Sequence, residues 1–302
     1  MTPDDARSTG EHLAWDAILD LALAEDLGGG DITSMTTVPA ELPARGTLRA
    51  KSAGVISGLA VARAVFRRVD PAVIFSPLVA DGDQVEPRTP IATVSGPARG
   101  ILVAERVALN LLQRLSGVAT VTARYVDAVA GTGARVVDTR KTTPGLRALE
   151  KAAVRHGGGH NHRFGLTDGI LIKDNHLAAV GGPDRVRRAV ALARAGAPHT
   201  LRIEVEVTTL EELAQALDAG ADIVLLDNMD VPTLREAVAR TAGRTLLEAA
   251  GGVTLETVRA IAETGVDLIS VGALTHSAPA LDISLDFDIA DDRDDGSCSM
   301  SR

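Results

Sequence analysis

The chain has very few aromatic residues: Phe, Trp and Tyr make up 2% of its 302 residues. Hydrophobic residues account for 45% and charged residues for 24%, so the core must be built mainly from Val, Leu, Ile and Ala. This composition is typical of parallel strands buried on both faces and of Ala-rich crossover helices. The length is sufficient for one large domain or two ordinary ones.

Cysteine and long apolar runs are also scarce. The single cysteine, Cys298, lies in a polar stretch near the C-terminus, which excludes an internal disulfide framework. No run approaches the ~18 apolar residues of a membrane-spanning helix. The first residues, MTPDDARSTGEHLAWD, are acidic and lack a basic segment followed by an apolar one, so no secretory signal is expected. We therefore expect a cytoplasmic protein.

Positive charge is scarce overall but concentrated in one stretch. The formal net charge is -9, which argues against nonspecific binding to nucleic acid. Between Arg135 and His176, however, eight Lys or Arg residues and four acids give a local balance of +4. A local positive field in an acidic protein suits a small, highly anionic substrate. Only four lysines occur, and three fall in this stretch: Lys141, Lys151 and Lys173.

The pattern of apolar residues divides the chain into two halves. A helix over about residues 11–27 precedes several short β-like runs, and residues 104–131 predict one long helix or two, interrupted near Ser116-Gly117. From residue 134, six apolar runs alternate with loops and, mostly, amphipathic helices: ARVVDTR, GILIKDNH, LRIEVEV, DIVLLDN, TLLEAAG and LISVGAL. This alternation predicts a parallel β/α barrel or a doubly wound sheet, and the repeat AGAD/TGVD favours the barrel. Because a complete eight-unit barrel needs upwards of ~200 residues, a reduced barrel is expected.

We therefore predict an α/β protein with two domains and a tail. An N-terminal domain with its linking helices covers residues 11–133, and the β-like run at 277–287 returns to it. The barrel covers residues 134–276. Residues 288–302 are predicted to form a disordered acidic tail.

Chemistry-bearing residues follow the ends of the six predicted barrel strands, where β/α barrels place their active sites. Cations follow the early strands, carboxylates the middle ones and glycines the last ones. The glycine-rich loops AAGGVT and SVGALT suit phosphate binding, because glycine lets backbone N–H groups approach an anion. The candidate residues are Thr139, Arg140, Lys141, Lys173, Glu206, Asp227, Gly251, Gly252 and Gly272.

Two of these residues are candidate metal ligands. Glu206 and Asp227 occupy corresponding strand ends and suit Mg²⁺ shared with substrate phosphates. Glu204 has the same strand parity as Glu206, so spacing alone leaves open which of the two faces the site. The histidines of the stretch HGGGHNHR lack a spaced set of further ligands, so zinc is not expected there. His162, next to Arg163, is the better candidate donor to an anion.

Several long blocks of the sequence resemble one enzyme family. The blocks ERVALNLLQRLSGVAT, DTRKTTPGLRALEKAAVRHGGGHNHRFGLTDGILIKDNH, EVEV, LLDNM, LEAAGGVTLETV and ISVGALTHS, together with EDLGGGDITS, are similar, in order, to quinolinate phosphoribosyltransferases. The resemblance covers about residues 11 to 287. One departure is Ala250, where members of the family often carry Ser.

The resemblance implies an α/β sandwich domain packed on an incomplete barrel, in a homodimer whose active sites lie at the subunit boundary. It implies the reaction of quinolinate with phosphoribosyl pyrophosphate to nicotinate mononucleotide, pyrophosphate and CO₂, in NAD biosynthesis. Quinolinate would be bound by Arg106, Arg140, Lys141, His162, Arg163 and Lys173. Phosphoribosyl pyrophosphate and Mg²⁺ would lie against Lys141, Glu206 and Asp227, with the 5′-phosphate at Ala250, Gly251, Gly252 and Gly272. Lys141, Lys173, Glu206 and Asp227 are the candidate catalytic residues.

Three other interpretations remain open. A related transferase could act on nicotinate or a modified pyridine. A barrel lyase could form a Schiff base on Lys173. A carrier module is suggested by DGDQVEPRTPIATVSG, although no lysine for attachment occurs in residues 54–140.

Overall fold

The computed structural model describes residues 8–289, with side chains from residue 15 onward. The chain divides into two compact units. The first consists of the described residues up to Gly117 and those from Pro279 onward; the second spans Val118–Ala278. The predicted tail from residue 290, which includes Cys298, lies outside the described residues.

The first unit is built on an antiparallel sheet. Its elements up to residue 97 are α1 (Ser8–Leu27), α2 (Ile32–Thr37), β1 (Pro43–Ala50), β2 (Gly54–Val55), α3 (Leu59–Val69), β3 (Ile74–Pro77), β4 (Gln84–Val85) and β5 (Pro90–Pro97). A late strand, β12 (Ile283–Ile289), pairs with β1 in the sheet order β12-β1-β5-β3. The sequence therefore returns to the first unit as expected, and the strand continues through residues 288 and 289, which were predicted as tail.

One uninterrupted helix, α4 (Ala98–Ala128), crosses the division between the units. The prediction placed this whole helix in the first domain, with the boundary at 133/134. The Ser116-Gly117 pair does not interrupt it. Gly117 is required by a close approach, because a Cβ there would overlap the backbone oxygen of Pro279, and the Ser116 hydroxyl accepts the backbone N–H of Ser57 at 3.0 Å.

The second unit contains the six predicted parallel strands. Its elements are β6 (Arg135–Val137), α5 (Arg147–His156), β7 (Ile170–Ile172), α6 (Asp174–Val180), α7 (Arg185–Gly196), β8 (Ile203–Val207), α8 (Leu210–Asp218), β9 (Ile223–Asp227), α9 (Val231–Thr241), β10 (Leu246–Ala250), α10 (Val258–Ala262), β11 (Leu268–Ser270) and α11 (Ala273–His276). Strand interiors are closely packed with Val, Leu, Ile and Ala, as composition predicts. Polar caps begin two of the helices: Thr209 accepts from Glu212 N–H and Asp230 from Thr233 N–H.

The sheet is an incomplete barrel in the order β6-β11-β10-β9-β8-β7. Each neighbouring pair is parallel, so all six carboxyl ends lie at one edge. Between β6 and β7 the described residues form no strand pair; a single bridge joins Val137 to His160 instead. None of the described helices is long and apolar enough to cross a membrane.

Candidate active site

A cavity of about 830 Å³ opens at the carboxyl ends of the barrel strands. The carboxyl end of each of the six strands, or the loop that follows it, contributes to it, because parallel strands place their ends at a common rim. Twelve of the thirteen predicted site residues line it: Thr139, Arg140, Lys141, His162, Arg163, Lys173, Glu206, Asp227, Ala250, Gly251, Gly252 and Gly272.

Cations form one wall of the cavity. The Nε atoms of Arg140 and Arg163 are buried and have no hydrogen-bond partner in the described structure. The guanidinium group of Arg163 is held in place by a second nitrogen, because its Nη1 donates to the Gly169 carbonyl at 3.0 Å. Burial and the charge of Arg140 lower the pKa of Arg163. Two half-buried guanidinium groups that repel each other and keep unused donors are suited to bind an anion.

Carboxylates lie in the middle of the rim. Lys173 Nζ donates to Glu206 Oε2 at 2.9 Å. Asp227 Oδ2 accepts from the side chain of Asn228 at 2.8 Å, and Asn228 itself adopts a left-handed backbone conformation with φ of 53°. Both carboxylates line the cavity, where oxygen ligands suit a hard cation. Of the two candidates on β8, Glu206 is the one that lines this cavity, whereas Glu204 lies deeper.

The loops that follow β10 and β11 present backbone groups, rather than long side chains, to the cavity. Gly251 and Gly252 have φ values of 90° and 58°. A Cβ at Gly251 would overlap the Asn228 side chain, so the turn after β10 needs glycine. Gly272 follows β11, and a Cβ there would lie 3.1 Å from Lys141 Cδ. The closely spaced, side-chain-free backbone suits a phosphate group.

Three ionisable side chains cross the barrel interior below this rim. His162 Nε2 lies 2.8 Å from Glu204 Oε2 and 3.8 Å from Glu248 Oε2. His162 Nδ1 accepts the backbone N–H of Arg163 at 2.8 Å, so in the neutral ring Nε2 carries the proton and donates to Glu204. Burial lowers the pKa of His162, but this hydrogen bond and the charges of Glu248 and Glu204 outweigh burial and raise it. Both ring nitrogens are therefore already engaged within the protein.

Glu248 is a cavity residue that the sequence reasoning missed. Its side chain is 1% exposed, and neither carboxylate oxygen has a hydrogen-bond partner among the described residues. Burial, aided by the charge of Glu204, raises the pKa of Glu248 to about 7. An acid in the middle of the apolar run TLLEAAG was the available signal. The other lining residues that the sequence did not indicate are Leu171, Leu225 and His276; Asn228 follows Asp227 in the predicted set of strand ends, and Val253, Thr254, Ser270, Val271 and Ala273 lie in the two glycine-rich loops.

Arg106 is the predicted site residue that does not line the cavity. It lies on the part of α4 that belongs to the first unit and is exposed. No hydrogen bond or ion pair of Arg106 is seen within the described part of the chain. Burial raises the pKa of its neighbour Glu105, and the charge of Arg106 opposes that rise.

Comparison with known proteins covers both units. Residues 31–116 match the N-terminal domain, and residues 118–286 the C-terminal domain, of quinolinate phosphoribosyl transferase. The chain is 44% identical to a probable nicotinate-nucleotide pyrophosphorylase [carboxylating] of Bacillus subtilis, over 96% of this chain and 99% of the relative. It is 50% identical to the nicotinate-nucleotide pyrophosphorylase [carboxylating] of Mycobacterium leprae, over 88% and 94%. The crystal structure of NadC from Streptococcus pyogenes superposes with a TM-score of 0.88 at 42% identity, over 92% and 98%.

These matches first define a class: the chain is an enzyme that transfers a glycosyl group, a phosphoribosyltransferase. Both halves match the two domain models of a single family in the right order. The chain belongs to the quinolinate phosphoribosyltransferase family.

Proposed function

We propose that the cavity of the second unit joins quinolinate to phosphoribosyl pyrophosphate and yields nicotinate mononucleotide, pyrophosphate and CO₂, in de novo NAD biosynthesis. The observation that carries this assignment is the pair of half-buried guanidinium groups of Arg140 and Arg163, whose buried Nε atoms have no hydrogen-bond partner among the described residues. Quinolinate has two adjacent carboxylates. Arginine forks suit such planar groups because they donate two parallel hydrogen bonds.

Further cations complete the quinolinate end. Lys141 and Lys173 line the same cavity, and His162 forms part of its wall. Because both His162 nitrogens are engaged with Glu204 and Arg163, we assign His162 to shaping the wall. The cations offset the repulsion between an anionic acceptor and an anionic donor, which must meet in one cavity.

The sugar donor would lie at the other end, with its 5′-phosphate against the backbone of Ala250, Gly251, Gly252 and Gly272. Glu206 and Asp227 are the residues that would hold Mg²⁺. They fit it because Mg²⁺ in such sites takes one or two carboxylates together with substrate phosphates. Bound there, the ion would neutralise charge on the departing pyrophosphate. Ala250 offers its backbone but no hydroxyl to the phosphate.

The chemistry needs positioning more than a protein nucleophile. The cationic wall orients the pyridine nitrogen towards the anomeric carbon, from which pyrophosphate departs through an oxocarbenium-like state. Once the nitrogen is quaternary, the ring can accept the electron pair of the C2–carboxylate bond as CO₂ leaves, and a proton then takes its place at C2. Arg140, Lys141, Arg163 and Lys173 hold the substrates in register throughout.

A Schiff-base lyase is the less favoured function. Such chemistry needs a lysine amine that is free to attack a carbonyl group, whereas Lys173 Nζ already donates a hydrogen bond to the Glu206 carboxylate at 2.9 Å.

We also propose a homodimer in the cytoplasm, with Arg106 reaching the active site of the neighbouring subunit. The support is the resemblance of the sequence, which implies active sites at the subunit boundary, and the negative charge of the substrate, which a further cation would offset.

The function is tested by comparing quinolinate with nicotinate as acceptor in the presence of phosphoribosyl pyrophosphate and Mg²⁺, with nicotinate mononucleotide as the measured product. Quinolinate should have the higher kcat/KM by on the order of 10⁴, because nicotinate leaves part of the cationic wall unpaired. Lys141→Ala should abolish turnover, while Lys51→Ala, which changes a lysine of the first unit, should not. Equal kcat/KM for the two acids would reject the assignment.

A further inference from the structure

The segment Asn161–Arg163 lies where the barrel sheet is open. On the free side of β6, pairing is limited to His160, whose N–H donates to the Val136 carbonyl at 2.9 Å and whose carbonyl accepts from Asp138 N–H at 3.1 Å. Among the described residues, backbone pairing on this side of β6 does not continue beyond His160. His162 and Arg163, which line the catalytic cavity, come immediately after the point where backbone pairing ends.

An ion pair takes the place of the missing ladder. The His162 N–H donates to Asp138 Oδ1 at 2.9 Å, and the His162 carbonyl accepts from Lys151 Nζ at 3.0 Å. Asp138 and Lys151 are in direct contact, with side chains 0% and 2% exposed. In a sheet, one neighbouring strand would satisfy both backbone groups of His162. Here one residue at the end of β6 and one on α5 do so.

Asn161 ties the same segment to the pair. Its Nδ2 donates to Asp138 Oδ2 at 2.6 Å and to the Lys151 carbonyl at 2.9 Å. Its Oδ1 accepts from Arg155 Nη1 at 2.7 Å. Asn161 and His162 therefore both depend on the Asp138 side chain and on Lys151, through its backbone carbonyl for Asn161 and through its side chain for His162.

The pair is a costly way to stabilise a fold. Burial raises the pKa of Asp138 and lowers the pKa of Lys151, in each case against the influence of the partner. Apolar residues of the same size often stabilise a protein as well as a buried ion pair does. An interaction of this kind is better explained by the geometry it imposes. The compact ammonium also suits a site that is completely enclosed, in a chain where arginine is far commoner than lysine.

We propose that Asp138 and Lys151 are positioning residues for the acceptor: they hold the backbone of His162 and Arg163 and thereby set the wall that receives the substrate carboxylates. Neither residue lines the cavity, so both act through the segment. This inference rests on the function proposed above.

The decisive variant is Asp138→Asn combined with Lys151→Met. It removes both charges with little change in shape, so it should fold, but it also removes the donor to the His162 carbonyl. We expect the KM and the directly measured Kd for quinolinate to rise about 10–100-fold, as for a small displacement of a binding group. The KM for phosphoribosyl pyrophosphate should stay within about twofold, because the glycine-rich end of the cavity does not depend on the segment.

Two further measurements separate positioning from general weakening of the fold. In a His162→Ala/Arg163→Ala background, Asp138→Asn/Lys151→Met should have no additional effect on the Kd for quinolinate, because it acts only through those residues. Arg185→Met is the matched control: it breaks the pair of Arg185 with Glu212, at 2.6 Å in the same unit, and should leave the KM for quinolinate unchanged.

The inference is overturned if the double variant folds and binds quinolinate as the wild type does, or if its effect persists in full in the His162→Ala/Arg163→Ala background. Failure of the proposed function would look different, since the wild-type protein itself would then form no nicotinate mononucleotide from quinolinate.

Discussion

Replacing Glu248 by Gln should change how the stability of the protein depends on pH. Glu248 lies in the middle of β10, beside Leu225 of β9 and Leu268 of β11. Its carboxyl group faces Glu204 on β8, His162 and Ser270, with a weaker influence from Lys173. With a folded-state pKa of about 7 against 4.5 for an ordinary glutamate, the folded protein holds the Glu248 proton more tightly than the unfolded chain.

The sign and size of the effect follow from proton linkage. Because the folded pKa is raised, the contribution of Glu248 to stability is fully present below pH 4.5 and is lost as pH rises through about 7. A tenfold change in proton affinity is worth about 1.4 kcal/mol, so the loss totals about 3 kcal/mol, most of it between pH 5 and pH 9. Glutamine has the shape of the neutral acid and does not ionise, so the variant should escape this loss.

Urea unfolding followed by far-UV circular dichroism at pH 5, 7 and 9 measures the effect. The difference in the free energy of unfolding between Glu248→Gln and the wild type should increase by about 2–3 kcal/mol in favour of the variant from pH 5 to pH 9. Trp15, the only tryptophan, belongs to the first unit, so its fluorescence follows that unit separately. Glu236→Gln, the same change at an exposed position of α9, is the control. A difference between Glu248→Gln and wild type that is the same at all three pH values would refute the raised pKa.

Three other changes test the assignment of the cavity. Asp227→Asn should raise the KM for phosphoribosyl pyrophosphate or the Mg²⁺ requirement while quinolinate binding stays nearly intact; steady-state kinetics showing the opposite would mean that the roles are reversed. Gly251→Ala should weaken binding of phosphoribosyl pyrophosphate at least tenfold, equivalent to about 1.4 kcal/mol, because the new methyl group meets the Asn228 side chain at a φ of 90°; unchanged donor affinity would argue against a phosphate at this turn. Mixing Arg106→Ala with Lys141→Ala subunits should restore activity towards half of wild type per heterodimer, since one site then carries both lesions and the other neither; no recovery in demonstrated heterodimers would assign Arg106 to its own chain.

Strand ends were the part of the site that sequence reasoning located best. Residues such as Lys173 and Asp227 directly follow apolar runs, and parallel strands place their ends at one rim whatever the details of packing. Glu204 and Glu206 differed only in depth along one strand, which strand parity does not reveal. The structure was needed to assign Glu206 to the rim.

Residues below the rim were not predictable in the same way. Asp138 and Lys151 are thirteen positions apart and were recognised only as charges in a basic stretch, because nothing local shows that both side chains turn inwards. For a related reason, the sequence did not show that the boundary between the two units falls within α4, after Gly117. Helical periodicity identifies the apolar face of a helix but not the unit to which each turn belongs. A glycine within a helical pattern can mark either the end of the helix or a place where another segment of backbone approaches it closely.

The opening between β6 and β7 gives the two ends of the cavity different capacities for change. The glycine-rich end is attached to strands that are paired on both sides, so substitutions there disturb the sheet itself. The segment Asn161–Arg163 is attached mainly through side chains, and its sequence can vary without altering any strand register. A new acceptor could therefore be selected, in evolution or in the laboratory, by altering these few residues and the pair that holds them, while the machinery for the sugar donor is inherited unchanged.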